Sequence, residues 1–209
     1  MGVRFVTVPS VNPSDSSSAT SLSLLERVKS RDPAAWERVV AVYGPLVDHW
    51  CRQAGLQDAD IADVRQDVLL AVARTIGEFR RDRPGDSFRG WLRTITRSKL
   101  TDHWRKKPAA EANTGGSDAY RQLQQLPDDD ATESVADAAE SGLVYRRALA
   151  LIQTDFEVRT WRAFWLVVID GRSSTEVATE LGVSVNAVYL AKGRVLARLR
   201  EEFAELIET

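Results

Sequence analysis

The sequence predicts an all-α protein, two small helical domains joined by a flexible acidic linker. Three observations predict it. Apolar residues recur at three- and four-residue steps over residues 22–107 and again over 143–207, with no alternating strand pattern in the 209 residues. Residues 108–142 are rich in Ala, Gln, Asp, Ser and Gly and hold eight acids against one arginine, the makeup of a solvated tether. Near the C-terminus, Gly182 separates two short capped helical patterns.

Each element follows from its pattern. Residues 1–21, with Pro9, Pro13 and several serines, are expected to be a disordered tail. Leu22, Leu25 and Val28 line a first short helix. Trp36, Val39, Val40, Tyr43, Val47 and Trp50 form one apolar stripe. Gly44 and Pro45 interrupt it and either kink that helix or split it, because proline removes a backbone donor and crowds the preceding turn. Gly55 ends this element, and Asp58 is the expected N-cap of the next. Ile61, Val64, Val68, Leu69, Val72 and Ile76 make the next stripe, stopping at Gly77. Residues 80–87 read as a charged loop. A helix then starts near Asp86 or Ser87 and runs to about Lys107, with Phe88, Trp91, Leu92, Ile95, Leu100 and Trp104 as its stripe. Beyond the linker, helices are predicted over 143–153, 157–169, 175–181 and 184–207, with Trp161, Phe164, Trp165 and Val168 inward on the second.

Composition excludes several classes. No run of 18 apolar residues offers a membrane span. Residues 1–10 lack the apolar stretch of a signal peptide, so a cytoplasmic location is expected. One cysteine, Cys51, excludes an intrachain disulfide and a cysteine-rich zinc site, and two histidines, His49 and His103, leave little for any other metal. The formal net charge of −2 conceals a strong asymmetry. Residues 74–107 hold 11 Lys/Arg against 4 Asp/Glu, a block suited to a polyanion.

The most specific motif spans residues 173–194. Ser173 and Glu176 have capping-box spacing, Val177, Ala178 and Leu181 face inward, and Gly182 permits the sharp turn. Ser184 caps a second helix that Val185, Val188 and Val195 pack against the first. Asn186, Tyr189, Lys192 and Arg194 are left for the solvent side. This is the layout of a helix-turn-helix, whose second helix enters a major groove. Asn186 suits a base edge, Lys192 and Arg194 suit phosphates, and Tyr189 serves either contact or packing.

A second motif is the ridge of Arg89, Arg93 and Arg97 at four-residue spacing, extended by Lys99, His103, Arg105 and Lys106. Cations among aromatics suit opened DNA, where bases stack on flat side chains. Trp91 and Trp104 fit that role or a place in the core. A third feature is the acidic helix with Asp58, Asp60, Asp63 and Asp67. Its acids either complement the helix dipole or present a face to a protein partner.

These three segments, in this order and with this acidic spacer, resemble a bacterial RNA polymerase sigma factor of the extracytoplasmic-function (ECF) group. The run at 60–70 is similar to the family's core-polymerase-binding helix, 79–107 to its melting and −10 segment, and 173–194 to its −35 reader. The resemblance implies that residues 22–107 are region 2, 108–142 the linker and 143–209 region 4. It implies that Asp60, Asp63, Gln66, Asp67 and Leu70 dock on the clamp helices of the polymerase's largest subunit. Arg80, Arg83 and Ser87 would belong to the loop that captures a flipped −10 base. Arg89, Trp91, Arg93, Thr96, Arg97, Lys99, His103 and Arg105 would meet the opened strand. Ser184, Val185, Asn186, Ala187, Tyr189, Lys192 and Arg194 would read the −35 element, and region 4 would also bind the flap of the second-largest subunit. An anti-sigma protein is a further partner it implies. No cofactor, metal, membrane or catalytic role is expected.

Two rivals are distinguishable. A plain helix-turn-helix regulator would not join core polymerase. An enzyme would need a reactive constellation, yet His49 and Cys51 lie two apart on a helix and face away from each other, and no glycine-rich phosphate loop is present.

Overall fold

The computed structural model describes residues 23–83, 85–106 and 135–207. The described residues form eight α-helices and two short 3-10 turns, with no strand among them. In chain order the helices are α1 (Leu24–Lys29), α2 (Pro33–Gln53), α3 (Asp58–Thr75), α4 (Phe88–Lys106), α5 (Val135–Ile152), α6 (Val158–Val168), α7 (Ser174–Leu181) and α8 (Val185–Ile207). The all-α expectation holds. The expected tail at 1–21, and the linker up to residue 134, lie outside the described residues.

α2 is the hub. Asp32 caps it by accepting hydrogen bonds from the Ala34 and Ala35 amides, at 2.9 and 3.3 Å, with Pro33 in its first turn. Pro45 lies inside the helix without splitting it. Ala41, whose carbonyl loses its donor, is on the exposed side, open to solvent. α2 packs against α1, α3, α4 and α5. It therefore buries Ala35, Val42, Leu46 and Cys51 as well as Val39, Tyr43, Val47 and Trp50, a face wider than one stripe.

Several local expectations are corrected. The N-cap of α3 is Gln57, and Asp58 is its first helical residue, with a nearly fully exposed side chain. Helix α5 begins at Val135, inside the segment expected as linker. On α6, Ala163 and Phe164 are buried, whereas Trp165 and Val168 are each 37% exposed, so the inward face lies a step earlier than the periodicity suggested. Val195 joins the main core rather than the small helix-turn-helix core.

The main core is shared. Val144, Ala148, Leu149 and Ile152 of α5, Phe164 of α6, and Val195, Leu199 and Phe203 of α8 belong to the same buried cluster as the residues of α1 to α4. Each half alone is near the size at which a core is hard to close, and a common face removes apolar area of both from water. A satellite core of Ala163, Val177, Ala178, Val188 and Ala191 holds the helix-turn-helix.

Candidate polymerase and promoter interfaces

On α3, burial of Ile61, Val64, Val68 and Val72 fixes the opposite face. Asp63, Gln66, Asp67 and Leu70 consequently align on the solvent side at helical spacing, with Leu70 46% exposed. Asp60 is turned away from this stripe. It is half-buried, with Oδ2 3.8 Å from His103 Nε2 of α4. Asp60 and His103 thus face each other between two helices.

The loop at 80–87 is folded by one carboxylate. Asp86 Oδ2 accepts the backbone N–H groups of Asp82 at 3.0 Å and Arg83 at 2.8 Å, and Arg81 Nε donates to the Asp86 carbonyl. Gly85 takes φ 94°, a conformation that disfavours any side chain. Arg80 donates to the carbonyls of Gly77 and Phe79, and Arg83 is exposed. Ser87 Oγ accepts the Gly90 amide at 3.0 Å and so caps α4.

Packing places the aromatics of α4 on its core side. Trp91 is half-buried, its ring 5.2 Å from Phe79 and 5.6 Å from Phe88, and Phe88 in turn meets Tyr43 edge-on at 4.8 Å. Trp104 is also half-buried against the core. Both rings sit on the core side rather than forming a free stacking platform. Thr96 is corrected as well: it is 1% exposed and its hydroxyl donates to the Leu92 carbonyl at 2.8 Å, out of reach of a strand in this conformation. Lys99 is half-buried, and exposed Arg105 pairs with Asp102 at 2.6 Å.

The arginine ridge is present, with Arg97 half-buried, and two of its members, Arg93 and Arg89, are engaged by α5. Arg93 Nη2 lies 2.6 Å from Glu140 Oε1 of α5, which also accepts Trp50 Nε1–H at 2.8 Å. The Arg93 guanidinium stands 5.5 Å from the Trp50 ring centroid. One turn earlier, Arg89 Nη1 donates to Ser141 Oγ at 2.5 Å. Trp50, Glu140 and Ser141 escaped the sequence reading. Trp50 looked like plain core, and the other two lay in a stretch that looked like tether.

The helix-turn-helix is built as its motif demands. Ser173 Oγ accepts the Glu176 amide while the Glu176 carboxylate accepts the Ser173 amide. The Ser173 hydroxyl bond holds the Glu176 carboxyl below its ordinary pKa. Glu180 accepts from Arg172 at 2.5 Å and from Arg162 of α6 at 2.9 Å, which lowers its pKa and ties α7 to α6. Gly182 turns the chain at φ 64°, ψ 41°. Ser184 Oγ then accepts the Ala187 amide at 3.1 Å and caps α8. Asn186, Tyr189 and Arg194 are exposed, as is Ser184, while Lys192 is half-buried. Val185 and Ala187 are half-buried too, and Val185 packs on the satellite core.

Comparison with known proteins decides the family. Residues 39–109 match the model for sigma-70 region 2. The chain is 30% identical over 143 residues to RNA polymerase sigma-E factor of Streptomyces coelicolor, covering 68% of this chain and 73% of that one. It is 28% identical to ECF RNA polymerase sigma factor SigF of Caulobacter vibrioides, over 86% of this chain and 91% of the relative. The chain belongs to the ECF group of RNA polymerase sigma factors. This sigma factor is also 28% identical to RNA polymerase sigma factor CnrH of Cupriavidus metallidurans, over 84% of its own length and 90% of CnrH. A solved structure of CnrH with the cytosolic domain of CnrY matches at 26% identity and a TM-score of 0.35, covering 84% of this chain and 92% of that one. The sigma factor is thus a promoter-directing initiation factor rather than a free-standing helix-turn-helix regulator. No described helix is long and apolar enough to cross a membrane, and no described group of His, Cys, Asp and Glu is arranged to hold a metal.

Proposed function

We propose that three surfaces of this sigma factor divide the work of initiation. The stripe Asp63, Gln66, Asp67 and Leu70 on α3 docks on the clamp helices of the polymerase's largest subunit. The loop at 80–87 and the exposed part of the α4 ridge bind the −10 element and the opened strand. The N-terminal turns of α8 read the −35 element, and region 4 also engages the flap of the second-largest subunit. The factor supplies no catalysis of its own, acts in the cytoplasm, and takes an anti-sigma protein as a regulatory partner.

The observation that carries this reading is the reading head. Val188 and Ala191 pack α8 onto α7, which leaves Asn186 and Tyr189 exposed near the capped end of the helix and Arg194 exposed about two turns beyond Asn186. A flipped base costs a few kcal/mol to unstack, and docking on polymerase plus base capture offsets it. The test is in vitro transcription with core polymerase on a genomic library. Defined start sites preceded by a shared two-part element support the reading. Silence on every template with a folded, uninhibited factor refutes it.

A further inference from the structure

Beyond Asn186, the outward side of α8 turns apolar and then bare. Tyr189 is 58% and Leu190 52% exposed, and exposed Gly193 follows one turn later with Arg194 beside it. Val188 and Ala191 take the buried side of the same turns. A single exposed leucine is ordinary on a protein surface. Leu190 is set apart by its place, on the second helix of the helix-turn-helix between Asn186 and Arg194. Gly193 is set apart by having no reason for being glycine within the described residues. Its backbone is helical, without positive φ, and a Cβ built on it would meet nothing within 4 Å. Glycine inside a helix lowers stability relative to alanine, and no contact of the chain with itself compensates here.

We infer that Leu190 reads the 5-methyl group of a thymine in the −35 element, and that Gly193 keeps the groove side of α8 bare enough for that contact to form. Base edges in the major groove present hydrogen-bond donors and acceptors and one apolar group, the thymine methyl. A leucine side chain neither donates nor accepts, so the methyl is the base feature that rewards it. Residues three and four apart share a helix face, which sets Asn186, Leu190 and Gly193 in one row. The Asn186 amide offers a donor and an acceptor to one base edge, and Leu190 packs on the methyl of a neighbouring step. A side chain at position 193 would stand between the helix and the DNA one turn behind Leu190. Bare backbone there permits the closer approach, and the contact with DNA offsets the loss of helix stability.

This role rests on the assignment of α8 to the −35 element, and the experiment separates the two. The probe is a promoter duplex recovered by transcription with core polymerase, each thymine of its upstream element replaced in turn by uracil, which removes the methyl and nothing else. Affinity is measured for holoenzyme carrying wild-type factor, Leu190→Ala or Leu190→Met. At one thymine, uracil should weaken wild-type binding about fourfold, the effect of one buried methyl. Leu190→Ala should weaken binding to the thymine duplex by at least as much and abolish the response to uracil at that position. Leu190→Met, of similar volume, should restore most of that response. Gly193→Leu, which favours the helix, should not lower the unfolding temperature of the free chain but should reduce promoter affinity about tenfold or more.

An upstream element without thymine, a wild-type factor indifferent to every uracil, or a response to uracil that persists in Leu190→Ala overturns the inference. If Asn186→Ala still alters the preference for the upstream element, the −35 assignment of α8 survives that result. If no variant of α8 changes dependence on the upstream element, both fall together. Full promoter affinity in Gly193→Leu overturns the part given to the glycine.

Discussion

At the scale of single residues, burial overrides chemistry in several places. Cys51 is fully buried on α2, and burial, reinforced by the nearby Asp48 carboxylate, pushes its thiol up to about 12. It should be inert to a thiol-titrating disulfide reagent at pH 8 and react fully in guanidinium. The folded thiol keeps its proton where the unfolded one loses it. Stability should therefore fall as pH rises above about 9 towards 12, a trend that denaturant titrations across that range would show. Asn186 stands at the other extreme, exposed at the capped end of α8. Asn186→Ala should change −35 preference and leave core binding intact, as selection from a randomised promoter library would reveal. The residues that misled the sequence reading were those with two plausible roles. The resemblance put Thr96 in the strand-binding set and the sequence left Trp91 open between stacking and core, and only the folded chain turns both inward. Glu140 has the composition of a tether and the environment of a core, and nothing within its own segment distinguishes them.

At the scale of elements, the helices were mostly legible because each has an amphipathic stripe and a cap. The helix-turn-helix was the clearest, since the capping box, the small Ala178, the glycine turn and the Ser184 cap all agree. Gly182 has open space where a Cβ would stand, so Gly182→Ala pays only for its left-handed backbone, about 1–2 kcal/mol, measurable by thermal or urea unfolding. The start of α5 was not legible. Residues before Leu143 lack a strong stripe of their own, and the described part of that helix packs on α2 and α8, elements distant in sequence. The α3 stripe carries its own prediction. Asp67→Arg should reduce affinity for core polymerase about tenfold or more, as a like-for-unlike charge at a docking face does, with the far-UV dichroism unchanged. Undiminished core affinity would remove this face from the interface.

At the scale of the whole molecule, local patterns gave two helical halves but not their common core. Sequence periodicity reports which face of a helix is apolar, not which neighbour covers it. The mutual burial of α2, α5 and α8 is therefore invisible until the chain is folded. The ridge must be judged at this scale too. In the holoenzyme, Arg93→Ala with Arg97→Ala should weaken open-complex formation. It should also lower the slope of log affinity against log salt by about 1–2, because two fewer phosphates are neutralised. An unchanged slope would mean that the ridge serves its contacts with α5 alone.

α8 is a single rod with work at both ends. Asn186 sits in its first turn, while Leu199, Glu202 and Phe203 anchor it in the shared core, with Phe203 at a break in helical geometry. From Val185 to Phe203 the rod is about 27 Å long, so a tilt of about 10° at the anchored end moves the tip by about 5 Å. That is more than one base-pair step. Whatever loosens the root of this lever also displaces the surface that its far end presents.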